Sequence, residues 1–494
     1  MSAVRIAVIT VAILAIVLVC SCDSSDASET DCDGSVYEYD TYGSGHPDYY
    51  CVITHVSSDS EVLYAPSVLE GYDVRFIEAH AFDGCTVRSL VLPKNLEGIS
   101  AEAFTGCSVL TDVYFMGDRP DMDGAFGPGV DFHVMPGTGG WGETDKIQTV
   151  TEGGIVYAIL PDGAVVSGGT PAGGKLNIPG NVGGHPVKRI GDYSFAGTMK
   201  NDGTVERRTD IDDVKLPDGL VSIGQRAFYY NDVRTVSIPH TVTSIRDEAF
   251  RACNYLGDPD LPSSLSYIGF EAFRDCHSIT ELIVPDSVTV LGDGAFYICD
   301  SLVSVKIDTG ILQRSFGYCS SLETVEFGKN VKKLGYGCFY RCESLRSVEI
   351  PDGVKSISAD AFRGCTALRE LKLGNVEEIG RMAFRDCISL GSFDLPASVR
   401  TISGYAFADC TGLKDIYAYG TAPEGDDTVF LNDDAVIHCR EDQKASWEAS
   451  GFGLEIKDDL KETSLDNSLL IAGICVTVIA IMAIIVFVFL KMKK

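Results

Sequence analysis

Positive charge is in short supply in this chain. Its 494 residues carry 40 Lys plus Arg against 70 Asp plus Glu, a formal net charge of −30. That excludes a nucleic-acid binder, because neutralising phosphates requires clustered Lys and Arg. Histidine is scarce too: no two of the eight lie within four residues of each other, and no His-Glu-x-x-His is present, so no metal-binding helix of that kind exists. No glycine-rich phosphate loop leads into a helix, since Gly139-Gly140 sits beside Trp141 and Gly183-Gly184 runs into His185-Pro186. Asn-x-Ser/Thr sequons are missing. Carboxylate pairs such as Asp212-Asp213 and Asp426-Asp427 are too common in so acidic a chain to nominate a general acid or base. The sequence therefore offers no catalytic residue, no metal site and no cofactor. Against these absences stand a hydrophobic content of 45%, ordinary for a folded protein, with 51 Gly and 18 Pro, which hint at regularly spaced turns and make internal repeats the first thing to test.

Both ends are apolar. Arg5 precedes an uncharged run from Ile6 to Cys20, long enough for a signal-peptide core and short for a bilayer span of about 20 residues. Cleavage before Cys22 makes residues 1–21 a signal peptide. Val19-Cys20-Ser21-Cys22 also reads as a degenerate lipoprotein box with Cys22 lipidated, and an uncleaved anchor is a third reading. Near the other end, Leu469 to Leu490 is free of charge and long enough to span at about 1.5 Å per residue. Lys491, Lys493 and Lys494 follow it and mark the cytoplasmic side. The expectation is a single-pass membrane protein: a transmembrane helix over 468–490, a basic cytoplasmic tail over 491–494, and the bulk of the chain extracellular.

Between these ends one pattern recurs: Leu-x-x-Val/Ile-x-Ile-Pro-x-x-Val-x-x-Ile-x-x-x-Ala-Phe-x-x-Cys. A clear copy has Ile279, Leu282, Val284, Pro285, Val288, Leu291, Ala295, Phe296 and Cys299. Its aromatic anchors are Phe82, Phe104, Phe195, Phe228, Phe250, Phe273, Phe296, Phe316, Phe339, Phe362, Phe384 and Phe407. From Phe228 the steps are 22, 23, 23, 20, 23, 23, 22 and 23, and such a period means a solenoid with one short unit per coil. The Leu-x-x-Val-x-Ile segment forms a strand that Pro ends, because Pro has no N–H to give the ladder. Val-x-x-Ile forms a second extended edge, and Ala-Phe-x-x-Cys closes the coil. One coil cannot bury its Phe, so stacking at about 4.8 Å per coil must do so.

In these residues the chain resembles the BspA-like leucine-rich-repeat family of surface proteins, over about residues 62–450. The resemblance implies a leucine-rich-repeat solenoid used for attachment or recognition at cell surfaces, without catalytic residues. Two units depart from the pattern. The one ending at Phe316 is three residues short and has Asp308 in place of Pro, and Phe195 is followed by Thr198 instead of Cys. Local bends or loops are expected at both.

A larger repeat lies above this one. Leu63, Pro66, Gly71, Val74, Ile77 and Phe82 have the spacings of Leu176, Pro179, Gly184, Val187, Ile190 and Phe195, while Asp112-Val113-Tyr114, His133 and Trp141 parallel Asp415-Ile416-Tyr417, His438 and Trp447. The fold class is accordingly a β-rich solenoid in two tandem modules plus one C-terminal transmembrane helix. An acidic linker with N-terminal strands occupies 22–61, a short module with its closing unit 62–145, a long module with its closing unit 150–455, and a polar stem 456–467. The first module holds two full repeats and the second ten. The two tryptophans are read as seals on the end coils, which would otherwise expose apolar surface.

Ten of the 17 cysteines occupy the slot after a repeat Phe and recur once per coil, so they form a line of core thiols and not a tetrahedral metal site. Cys338 fills an Ala slot, and Cys439 aligns with Val134. Cys32 and Cys51 fall outside these slots in an exported chain, which makes them a candidate disulfide. The insertion from Ala196 to Asp210 should bulge as a loop carrying Lys200, Arg207 and Arg208, candidate partner contacts, although a solvated insertion is the plainer reading. Outward-facing strand residues Lys215, Ser237, Asp260, Ile283, Lys306, Glu326, Glu349, Lys372, Asp394 and Tyr417 should form one column, with Ile283 and Tyr417 as further candidate contacts. The expected function is non-catalytic adhesion to, or recognition of, a protein or glycan at the cell surface. A structural envelope spacer that binds divalent cations diffusely is the alternative, and a surface hydrolase is disfavoured by the missing site.

Overall fold

Each coil consists of two extended edges joined by turns. On the first edge, strands such as Glu281–Ile283, Ser347–Glu349 and Glu370–Lys372 alternate exposed, buried, exposed, so one aliphatic residue per strand enters the core. The second edge is a two-residue strand with an inward Ile or Leu, as in Ser244–Ile245 and Tyr267–Ile268, paired in parallel with its neighbours. In this computed structural model residues 28–30, 35–42, 50–69, 71–200 and 204–461 are described. The N-terminal apolar segment with Cys22, the residue Cys32, and the candidate span 468–490 with its tail lie outside the described residues. Among the described residues no helix is long and apolar enough to cross a membrane.

The turn that carries the phenylalanine bends the chain twice. From Phe228 to Phe407, residues two before and two after each Phe adopt left-handed backbone: Arg226 and Tyr230 around Phe228 (φ 50° and 53°), Glu248 and Ala252 around Phe250 (53° and 58°), Met382 and Asp386 around Phe384 (58° and 64°). Non-glycine residues in this region cost about 1–2 kcal/mol each. Coil-to-coil hydrogen bonds made by the same residues offset that cost, since Glu248 N–H donates to the Phe270 carbonyl (2.8 Å) and Ala252 N–H to that of Arg274 (2.7 Å). Between the two bends each Phe N–H from Phe228 to Phe407 reaches the Ala-slot carbonyl of the next coil, at 2.7 Å for Phe228 to Ala249 and 2.8 Å for Phe250 to Ala272.

The rings stack in consequence. Phe228 and Phe250 lie 5.1 Å apart at 2°, and Phe362 and Phe384 5.2 Å apart at 3°. The stack outruns the repeats read from the sequence, for Phe126 continues it beyond Phe104 (4.5 Å, 11°) and Phe430 beyond Phe407 (5.5 Å, 14°). Buried apolar side chains form one continuous cluster from Ile155 to Phe452, a separate one from Tyr37 to Trp141, and a small third one that includes Val91, Leu160 and Val165.

Both stacks open on antiparallel ribbon. Val36–Tyr42 and Tyr50–Ser57 form a hairpin whose second strand pairs in parallel with Tyr72–Ile77. Likewise Thr149–Glu152, Ile155–Leu160 and Gly163–Gly169 form a meander whose last strand pairs in parallel with His185–Ile190. Each ribbon covers a strand edge that an end coil would leave bare. The two stacks are clasped side-on. Gln225, buried, imitates a strand: its Oε1 accepts from the N–H groups of Ser67 (2.5 Å) and Val68 (2.8 Å), and its Nε2 donates to the Val68 carbonyl. Arg226 bonds Asp73 (2.6 Å) and the Gly71 carbonyl (3.2 Å). At Gly71 (φ +85°) a Cβ would lie 2.4 Å from the Phe270 ring, so this close approach needs glycine.

The first-edge sheet corrects the expected single column in two places. Pro259 has no N–H, the Asp260 coil forms no strand, and the Asp258 carboxylate instead accepts from the N–H groups of Thr280 (2.6 Å) and Glu281 (3.0 Å). A second break separates Thr324–Phe327 from Ser347–Glu349, where Phe327 and Gly328 stand in the Ile-Pro slots. The short unit at Phe316 interrupts the second-edge sheet between Val290–Leu291 and Ile311–Leu312. Asp308 there accepts from the Asn330 N–H (2.5 Å), and the Phe296–Phe316 rings remain parallel at 3°. The insertion after Phe195 folds as a small antiparallel hairpin, Thr198–Met199 with Val205–Glu206.

Candidate recognition face

The outward residues of the first edge fall into in-register runs. Lys215 pairs with Ser237, Ile283 with Lys306 and Lys306 with Glu326, while Glu349, Lys372, Asp394 and Tyr417 follow one another across four coils. Lys306 Nζ lies 2.8 Å from Glu326 and Lys372 Nζ 3.0 Å from Glu349, with all four side chains more than half exposed. Pairs so exposed contribute about 0–1 kcal/mol. Their effect is to hold long side chains in opposite-charge pairs. Ile283 is 66% exposed beside the first of them, the most exposed large apolar residue among those described. Farther along, Glu326, Glu349, Lys372 and Asp394 border an open groove floored by Ile350, Pro351 and Leu371.

Tyr417 is half-buried, and a residue that the sequence places in the closing-unit parallel without assigning it a role explains why. The ring of His438 stacks on it at 5.1 Å, held between Asp415 (Nε2 to Oδ1, 2.9 Å) and Asp459 (Nδ1 to Oδ1, 2.8 Å). Burial opposes charge on this imidazole, but hydrogen bonds and charge from Asp459 and Asp415 outweigh it and raise its pKa. The same trio stands in the first closing unit, where His133 stacks on Tyr114 at 4.5 Å and reaches Asp112 at 3.0 Å. The signal for it was the parallel between Asp112-Val113-Tyr114 and Asp415-Ile416-Tyr417.

The two arginines of the basic insertion turn inward, and Lys200 stays half exposed. Arg207 reaches Asp232 at 2.7 Å, Arg208 reaches Asp210 at 2.7 Å while covering the Phe195 ring, and Lys200 lies 3.4 Å from Glu206. Each cation is therefore neutralised by a neighbour, and the hairpin offers no unpaired basic patch.

The repeat cysteines do structural work. Cys253 Sγ donates to the Phe228 carbonyl of the preceding coil (3.1 Å), Cys276 to Phe250 (3.2 Å) and Cys410 to Phe384 (3.2 Å). Burial pushes the Cys253 and Cys319 thiols up to about 12, so they stay protonated and act as donors. Cys338 and Cys439 are buried like the repeat thiols of the long stack. Cys51 is buried, with its sulfur 3.7 Å from the Leu69 carbonyl. Among the described residues no group of three His, Cys, Asp or Glu is placed to hold a metal ion.

A family model described as "BspA type Leucine rich repeat region" matches the chain in six copies, over residues 71–119, 181–303 and 299–414. Among solved structures, a leucine-rich repeat protein from Bacteroides ovatus is 24% identical, with 62% of this chain and 99% of that one covered and a TM-score of 0.31. A leucine-rich cell surface protein from Faecalibacterium prausnitzii is 19% identical over 89% and 100%, TM-score 0.32. The pneumococcal vaccine antigen PcpA is 18% identical over 64% and 99%, TM-score 0.38. At these identities the likeness concerns fold alone. No curated protein matches the chain.

Proposed function

The chain belongs to the BspA-type leucine-rich-repeat family, and we propose that it is a non-catalytic recognition or adhesion protein displayed at a cell surface. Its partner, a protein or a glycan, engages the first-edge face of the long stack. The in-register exposed run from Ile283 to Glu326 carries this reading: an exposed apolar side chain beside the Lys306–Glu326 pair gives a partner a desolvatable centre with a polar rim. Export and anchoring rest on the two apolar ends, with the C-terminus on the cytoplasmic side. A spacer would need no such face and would tolerate removal of two interior coils.

Protease applied to intact cells should release peptides from residues 71–414, and full protection would remove the surface reading. Cells that display Ile283→Glu should then lose attachment to the partner by about tenfold, a hot-spot effect, while unfolding at the wild-type temperature. Unchanged attachment would leave the spacer role.

A further inference from the structure

The ribbon that opens the long stack covers only one edge of its first coil. Its last strand, Gly163–Gly169, pairs with the second edge at His185–Ile190. The first-edge sheet instead begins at Lys175–Asn177, which pairs with Asp213–Lys215 on one side and with no strand among the described residues on the other. Asp212 N–H donates to the Gly174 carbonyl (2.8 Å) and Ile178 N–H to that of Lys215 (3.1 Å), so Gly174, Leu176 and Ile178 turn their backbone groups toward the next coil. The alternate residues, Lys175 and Asn177, turn theirs the other way, and both are exposed. Beside this edge lies a groove of about 510 Å3, lined from the ribbon by Glu152, Gly153, Ile155 and Tyr157.

The short stack caps the same position. There Tyr39 pairs with Ile53 and Ile53 with Ile77, as Tyr157 pairs with Val166 and Val166 with Ile190. Two residues before these tyrosines, Tyr37 and Ile155 therefore correspond. The Tyr37 hydroxyl donates to the Tyr64 carbonyl (3.3 Å) on the edge strand Val62–Tyr64, whereas Ile155 has no hydroxyl to give the counterpart carbonyl at Asn177.

We propose that this edge takes up an extended peptide segment of a partner protein as one further parallel strand. The backbone sets the class of partner, because N–H and C=O groups presented at strand spacing are matched by another strand. The register of the coils sets its side chains: an aliphatic residue beside Leu176, a polar one beside Asn177, and a carboxylate beside Lys175, as Asp213 stands on its other side. The edge shares no residue with the run from Ile283 to Glu326, so the two readings fail separately, and Ile283→Glu should leave peptide binding unchanged.

The probe is a capped, fluorescent peptide with the sequence of residues 211–217, Ile-Asp-Asp-Val-Lys-Leu-Pro, titrated with the full chain and read by anisotropy. In the register of the coils its Val backbone points at the edge and that of the preceding Asp points away. N-methylation of the Val should therefore weaken binding about tenfold, and N-methylation of that Asp by less than about twofold. Lys175→Glu should weaken the peptide several-fold, and Lys in place of the same Asp should restore it. Hydrogen exchange at the Lys175 and Asn177 amides should slow when peptide is bound. The proposal is overturned if the peptide shows no saturable binding, if the two N-methyl peptides bind alike, or if the charge swap restores nothing. Slow exchange of those amides without peptide would show the edge filled by this chain itself or, where protection grows with protein concentration, by a second copy, and either result overturns it as well.

Discussion

The indole N–H of Trp447 donates to the carbonyl of Gly420 at 3.0 Å, the counterpart of Trp141 donating to Gly117 at 3.1 Å. Both rings are buried, and each closes its stack by covering apolar surface while satisfying a carbonyl that the missing next coil would have met. Local structure differs around the two, for Trp447 lies in the short helix Lys444–Glu448 and Trp141 in an irregular turn. Trp447→Phe should cost about 1–2 kcal/mol, because it strands the carbonyl, and Trp447→Ala about 3–5 kcal/mol. Hydrogen exchange should localise the loss to residues after Phe407. A uniform loss across the long stack would contradict the sealing role.

Native alkylation separates the thiols. Cys85 and Cys107 are only partly buried, whereas Cys253, Cys276, Cys319 and Cys365 are buried completely. Of these six, iodoacetamide should modify the first two alone until the chain is denatured, as read by peptide mass spectrometry. Rapid labelling of Cys253 in the folded protein would disprove the thiol–carbonyl ladder.

Backbone handedness gives a test of opposite signs. Ile298 holds φ at 60° with a β-branched side chain. Ile298→Gly should therefore raise stability by about 0.5–1 kcal/mol, after allowing for the chain entropy glycine adds to the unfolded state. Val303→Gly, at an exposed position with no such backbone, should lower it. Denaturant midpoints measure both, and a loss at Ile298 would show that its side chain outweighs the strain.

The closing unit should also respond to pH. Burial, then the charge of Asp409, push the Asp433 carboxyl up to about 7, from about 3.9 in an unfolded chain. A raised carboxyl binds its proton more tightly in the folded state, so its contribution is fully present below about pH 4 and is lost as pH rises through about 7. Asp433→Asn should accordingly raise the melting temperature at pH 8 and leave it nearly unchanged at pH 4. An equal shift at both values would mean that the carboxyl is not perturbed.

Coil length, edge assignment and the inward Phe were legible because side-chain chemistry alone sets them: an aliphatic at every second strand position, a Pro that ends the ladder, one aromatic per coil. The Lys306–Glu326 and Glu349–Lys372 neighbours followed from the same period. Less legible were Phe126 and Phe430, which keep the 22- and 23-residue steps but stand in units without Cys after them. The left-handed bends escaped notice because Arg226, Glu248 and Ile298 hold them without glycine, their cost met by bonds to a neighbouring coil that no local pattern reveals. The break at Asp260 was readable in principle from Pro259. Contacts between the stacks, such as Gln225 with Val68, join residues 157 positions apart and depend on docking geometry, for which spacing carries no signal.

The coil-to-coil ladder through the Phe turns has a mechanical consequence. Each turn of the long stack is fastened mainly to the turn before and the turn after, and the clasp at Gln225 and Arg226 sits near its N-terminal end. A pull applied at the last coil therefore loads one row of bonds at a time. Under tension the molecule should pay out in steps of one coil, about 7 nm of chain for each 22 or 23 residues released, and should keep its N-terminal half folded until the force reaches the clasp.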